Sequence, residues 1–154
     1  MKNFLIFFLG FSICASAQKL DRKTFYDYSE SIEFRIYGLN KSRSVDVGAG
    51  NYSEIIMAAK GERFATFIFE FKNTSESEQI IDFETIFIKD RRGNLHNVMK
   101  FLKTGVRFTG KSFEQKIKGG KKFKVITIFE PPFPKDEIID TLVINGNEIK
   151  LKSK

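Results

Sequence analysis

The sequence predicts an all-β fold, a β-sandwich of about seven to nine antiparallel strands. Three observations carry this. Apolar residues alternate with polar ones at period 2 in several separate stretches, a spacing that places them on one face of a strand. Turn residues, among them Gly93-Asn94, Gly119-Gly120 and Asn145-Gly146, punctuate those stretches. No stretch carries a convincing helical period.

The chain is organised around residues 61–73, GERFATFIFEFKN. Phe67, Phe69 and Phe71 share one face. Phe64, Thr66 and Ile68 leave the other half apolar before Glu70 and Lys72 turn it polar. A strand apolar on both sides belongs in the middle of a sheet. This one is expected to be central, with its Phe row facing the core opposite Phe123, Val125 and Phe129.

The chain begins Met1-Lys2-Asn3, runs apolar from Phe4 to Cys14, and reads Ala15-Ser16-Ala17 before Gln18. A positive residue, a short apolar core and an A-x-A site predict a secretory signal peptide over residues 1–17, cut after Ala17. The run is too short to span a bilayer, which takes roughly 20 apolar residues. A lipoprotein signal would place Cys14 at the cut. Bulky Ile13 precedes it, so soluble export to the periplasm or the exterior is the expectation. The only Cys leaves with the signal, and the mature chain then has no disulfide, no thiol nucleophile and no cysteine metal site. An exported domain held by its core alone fits a bacterial envelope.

The remaining elements follow in order. Residues 18–30 are polar, with Phe25, Tyr26 and Tyr28 embedded, and form an N-terminal arm, either loose or a short edge segment. Residues 31–37 alternate as a half-buried strand, with Ile32, Phe34 and Ile36 on one side. Residues 38–52 read as a Gly- and Ser-rich loop, and 53–60 stay unassigned between a helical turn and a strand. Residues 79–89 form a second long strand. Ile81, Phe83, Thr85 and Phe87 share one of its faces, while Ile80, Asp82, Glu84, Ile86 and Ile88 share the other. That second face turns from acidic to apolar, so the strand bends or changes environment.

Asp90 to Asn94 is a tight turn with Gly93 at a positive φ, and residues 95–101 return as its partner strand. A loop over 104–110 leads to a short strand over 112–118. Residues 121–130 form a long strand with Phe123, Val125, Thr127 and Phe129 inward. Pro131-Pro132-Phe133-Pro134 is expected to stop it, since proline cannot donate to a ladder. Asn145-Gly146 is the strongest two-residue hairpin signal, and a two-residue turn pairs Leu142 with Ile149 and Thr141 with Lys150. No repeat or composition break appears, so residues 31–154 are one domain.

From Gly61 onward the order of features resembles a family of small exported immunoglobulin-like domains of bacteria, many of unknown function. The matching parts are Gly61-Glu62 before a strand closing in Asn73, then Phe87-Ile88-Lys89-Asp90 with Gly93-Asn94. Gly119-Gly120-Lys121-Lys122 leading into Phe129-Glu130-Pro131-Pro132 follows, and Leu142-Val143-Ile144 completes the set. The resemblance implies an immunoglobulin-like sandwich and transfers no catalytic residue.

Little here suggests chemistry. His96 is the only histidine. It could serve as a base or ligand beside Asp90, but one histidine lacks the paired ligands a zinc site wants, and a polar residue on a half-exposed strand is the simpler reading. Asp82 and Glu84 share a strand face but supply too few oxygens for a hard cation. No Ser-His-Asp pattern or phosphate-cradling glycine loop can be named. No cofactor is expected.

One cluster exceeds its surroundings. Lys100, Lys103, Arg107, Lys111, Lys116, Lys118, Lys121, Lys122 and Lys124 face a single acid, Glu114, in a chain of net charge +7. If the strands around Gly119-Gly120 pair directly, Lys118 lies opposite Lys122 and Lys116 opposite Lys124. Like charges so placed are destabilising and favour an anion. In an immunoglobulin-like sandwich the connection can instead cross between sheets and separate them. The chain has 18 Phe and no Trp, a profile of core filling that disfavours a nucleic-acid groove. The expected function is a non-catalytic, exported immunoglobulin-like domain that binds a protein or envelope component. The alternative is a basic-face adaptor for envelope polyanions, such as lipopolysaccharide, acidic glycan or lipid headgroups, through Lys116, Lys118, Lys122 and Lys124.

Overall fold

The computed structural model describes residues 20–48, 52–103 and 113–152. The expected signal peptide, residues 1–17, lies outside them, as do Arg107, Lys111 and the loop expected over 104–110. The described residues form β1 (Tyr26–Ser29), β2 (Ile32–Ser42), β3 (Ser44–Asp46), β4 (Ile55–Met57), β5 (Glu62–Asn73) and β6 (Gln79–Asp82). After a 3-10 turn (Phe83–Thr85) come β7 (Ile86–Lys89), β8 (Leu95–Lys103), β9 (Glu114–Ile117), β10 (Lys122–Pro134), β11 (Thr141–Ile144) and β12 (Asn147–Lys150). The fold is an all-β sandwich. Eight strands join in one antiparallel sheet, in the order β1-β2-β5-β10-β8-β7-β11-β12. The four short ones form the two-stranded ladders β3-β4 and β6-β9.

β5 is central because both its edges are taken. Phe71, Phe69 and Phe67 lie level with Phe34, Ile36 and Leu39 of β2 and with Phe123, Val125 and Thr127 of β10. All three phenylalanines are fully buried. Phe123, Val125 and Phe129 are therefore neighbours of the Phe row within one layer and do not face it across the core. Periodicity gives a strand's inward face but not its layer. The facing layer is built from Ile81, Phe83, Ile86, Ile88, Leu142 and Ile144, all in the same core cluster, and Phe83 meets Phe71 edge to face at 5.8 Å.

β8 joins the layers. Its residues from Asn97 to Lys103 pair with β10, and those from Leu95 to Asn97 pair with β7. The outer strands of the sheet also meet. Asp21 N–H donates to Lys152 C=O (2.9 Å), Lys152 N–H to Tyr26 Oη (3.0 Å), and Asn145 Nδ2 to Tyr28 C=O (3.0 Å). The N-terminal arm is thus the short edge segment of the two alternatives, with Leu20 and Tyr28 in the core.

Four local readings change. Residues 79–89 are two strands, because the Asp82 carboxylate accepts the Glu84 N–H and caps a 3-10 turn. The turn resets the alternation, so Ile86 and Ile88 join Ile81 and Phe83 inside. β2 runs past Gly38 to Ser42 because an irregularity at Tyr37 keeps it in register with β5; β3 takes another part of the expected loop. The unassigned stretch supplies β4, paired with β3. Pro131 and Pro132 do not stop β10. The register against β5 jumps from Phe129↔Ala65 to Phe133↔Arg63, so the prolines sit in a bulge, where no ladder N–H is required. The terminal hairpin has the expected register, Leu142↔Ile149 and Thr141↔Lys150, with Asn145 and Gly146 at φ 50° and 79°.

Asn73, the strand-closing residue, is fully buried and fully bonded. Its Nδ2 donates to Ser77 C=O (2.7 Å) and Ile117 C=O (3.0 Å), and its Oδ1 accepts from Ser75 N–H (2.9 Å) and Ser75 Oγ (2.8 Å). Asn73→Asp aims a carboxylate at two carbonyls and should cost about 2–4 kcal/mol in urea unfolding, since it orphans buried groups. Phe69→Ala should cost about 3–5 kcal/mol in the same assay; a near-neutral result would place the wrong face of β5 inside.

Candidate anion-binding face

Three of the four expected lysines fall in two separate ladders, and Lys118 lies in the turn between β9 and β10, its C=O accepting from Lys121 N–H (3.2 Å). β9 pairs with β6, placing Lys116 opposite Ile80, while Lys122 and Lys124 in β10 lie opposite Lys72 and Glu70 of β5. The pairings Lys118–Lys122 and Lys116–Lys124 do not form. The cause is a long-range contact. Gly119 lies so close to the Glu76 carbonyl that an added Cβ would sit 2.0 Å from its oxygen. Gly120 N–H donates to Ser75 C=O (2.9 Å), and Asn73 N–H to Lys121 C=O (2.9 Å). These bonds carry the chain across the loop after β5 rather than back along β9. Lys116 instead reaches Glu78 at 3.3 Å.

Lys122 and Lys124 enter a different constellation, on the face of β2, β5 and β10 turned away from the core. One row across it reads Glu33, Lys72, Lys122 and the next Arg35, Glu70, Lys124. Glu70 is the pivot. It is buried, and it pairs with Arg35 at 2.5 Å and Lys124 at 3.9 Å. The Lys124 ammonium stands 3.5 Å over the Tyr37 ring, and the Arg35 guanidinium lies 5.0 Å from Tyr37 and from Phe25, within cation–π range. Lys72 has Glu33 at 3.7 Å, and Asp27 of β1 stands opposite Glu33 at the far end of the same row.

Further along this face come Ile68 and Ile126, directly opposite each other and half-buried. Beyond them Phe64 and Ile128 are covered by Val45 and Ala58, with Val47, Ile56 and Met99 at the margin. The β3-β4 hairpin therefore lies on the same side of the sheet as the lysines. Lys100 fastens it, its Nζ donating to the carbonyls of Val47 and Gly48. Arg35, Tyr37, Glu70 and Lys72 were not singled out in the sequence. They meet only through the three-strand register.

His96 is buried, not half-exposed. It stacks on Phe133 with ring centroids 3.7 Å apart. Nδ1 donates to Pro131 C=O (2.6 Å), and Nε2 faces Asp90 Oδ2 (3.5 Å). Both ring nitrogens are engaged, which makes His96 a packing residue of the turn. Burial pushes the Asp90 carboxyl up. The Asn94 side chain and N–H, His96 and the Arg92 N–H outweigh this and hold it at about 2. A cleft of about 440 Å³ beside this turn is lined by residues that include Lys89, Arg91, Asp140, Glu148 and Lys150. Two ion pairs cross it, Lys89–Glu148 at 2.5 Å and Lys150–Asp140 at 3.6 Å. Asp82 is the cap already described. No group of three or more metal-ligating side chains occurs among the described residues.

No protein-family model matches the chain, and no curated protein does. Among solved structures it is similar to an uncharacterized β-sandwich protein of Clostridium difficile 630, at 17% identity and a TM-score of 0.55, over 85% of this chain and 90% of that one. It is also similar to a conserved hypothetical protein of Bacillus anthracis, at 11% identity and a TM-score of 0.59, over 88% and 96%. These likenesses are of fold. Among the described residues no helix is long and apolar enough to cross a membrane.

Because folding lowers the Asp90 pKa from 3.8 to about 2, its contribution to stability is present above pH 4 and drains away between pH 4 and 2. The stability gap between wild type and Asp90→Asn should therefore be widest near pH 6 and shrink toward pH 2 in urea titrations. A gap independent of pH would mean that the charge of Asp90 does not hold the turn.

Proposed function

We propose that this chain is an exported, non-catalytic immunoglobulin-like domain that binds a protein or an envelope component through the outer face of β2, β5 and β10. The observation that carries the reading is the Lys72–Lys122 pair, directly opposite each other across neighbouring strands. Like charges in that position destabilise a sheet unless an anion or a nearby acid offsets them. Lys2, the apolar run to Cys14 and Ala15-Ser16-Ala17 support export. A histidine with both nitrogens engaged supports a role without catalysis.

The same pair favours a second reading, an adaptor for envelope polyanions. Its residues are then Arg35, Lys72, Lys122 and Lys124, while Lys116 falls outside the face, in the β6-β9 ladder. Cosedimentation with washed bacterial envelopes tests the binding. The bound fraction should fall steeply between about 0.05 and 0.5 M salt, as Debye screening requires, and Lys72→Gln with Lys122→Gln should weaken it several-fold. Binding that survives both salt and substitution would remove the lysines from the interface. Absence of binding to any envelope fraction would sink the reading.

A further inference from the structure

The lysine rows share their side of the molecule with an exposed apolar feature. Val45 and Ile56 of the β3-β4 hairpin pack inward over Phe64 and Ile128. Alternation along β4 then turns Ile55 and Met57 outward, and they are 67% and 62% exposed. Their outward direction is also that of Lys72 and Lys122, because Phe64 lies on the same face of β5 as Lys72. Two kinds of exposure therefore look the same way. One is cationic on its β5-β10 side, where Lys72, Lys122 and Lys124 stand against Glu70 alone, while Asp27 and Glu33 lie toward β1 and β2. The other is aliphatic and protrudes on a hairpin.

We propose that this side of the domain docks on an anionic lipid surface. Headgroup phosphates would lie against Lys72 and Lys122, while Ile55 and Met57 enter the boundary between headgroups and acyl chains. The occupant follows from charge and shape together. A cationic patch attracts any polyanion, but a soluble acidic glycan gains nothing from protruding Ile and Met side chains. A sugar would also want an open aromatic face beside the cations, and the Tyr37 ring there is already taken by Lys124 and Arg35. A bilayer surface rewards both features, through attraction of basic side chains to anionic headgroups and shallow burial of apolar ones.

The proposal rests on the outer-face binding reading above, and vesicles separate the two. Purified protein is sedimented with vesicles of phosphatidylcholine alone and with vesicles of equal phosphatidylcholine and phosphatidylglycerol at 0.1 M salt. Binding to the anionic vesicles only is expected. Each lysine near an anionic surface contributes roughly fivefold in partitioning, so K72Q/K122Q should lose about twenty-fivefold. The charge-matched control K89Q/K116Q, on β7 and β9 away from this face, should lose far less. I55S/M57S should weaken binding about tenfold, since it removes exposed apolar area, with an unchanged melting curve. Equal loss in the two lysine variants would overturn the proposal, as would I55S/M57S binding like wild type or no binding to anionic vesicles. If vesicles fail while envelope binding still depends on Lys72 and Lys122, the lipid assignment falls and the interaction reading stands. If both fail, both fall.

Discussion

The structure depends on the two-sided burial of β5. Its inner face carries Phe67, Phe69 and Phe71 into the core, and its outer face carries Phe64 and Glu70, both also buried. A strand buried along its whole inner face and at Phe64 and Glu70 of its outer one needs a partner on each edge and a cover over part of each side. β2 and β10 supply the edges over nearly its whole length. The facing layer covers one side, and the β3-β4 hairpin with the Arg35–Lys124 network covers the other. Each stacked or edge-on ring pair in the Phe cluster adds specificity beyond the area it buries, and the sequence of contacts from Tyr26 through Phe34 and Phe71 to Phe83 and Phe101 ties both layers together.

Glu70 shows how such a strand tolerates a charge. A buried carboxylate is costly unless paired. Here a guanidinium and an ammonium reach it from the two neighbouring strands, and both cations are supported from above by Tyr37. The acid inside the sheet thus organises basic residues on its surface. Lys72 and Lys122, one row further on, lack an equivalent acid between them, and this asymmetry distinguishes a structural cluster from a candidate binding one.

What was legible in the sequence is what local chemistry decides. Asn145-Gly146 fixes a two-residue turn and with it the register of every pair in the last hairpin. The Phe alternation of β5 fixes its inner face, and Gly93 marks its turn. What was not legible depends on contacts between distant residues. Nothing near Gly119 announces that Glu76 lies against it, so the lysines beyond it were paired with the wrong strand. The cap by Asp82 is local, but continued alternation through residues 83–85 disguised it as strand. Arg35, Tyr37, Glu70 and Lys72 are unremarkable alone; the site exists only once three strands are set in register.

The double membership of β8 has a mechanical meaning. In a sandwich held by side-chain packing alone, the two layers can slip past one another at the cost of apolar contacts. Here a single strand is bonded to β10 along one stretch and to β7 along another, so slip must also break backbone hydrogen bonds. The same strand starts beside the Asp90 turn and carries Lys100, which grips the β3-β4 hairpin. The hairpin is thus braced against the strand that begins at the buried Asp90–His96 corner, as a bracket is braced by the beam it hangs from, and a load on its exposed tip would be borne by both layers at once.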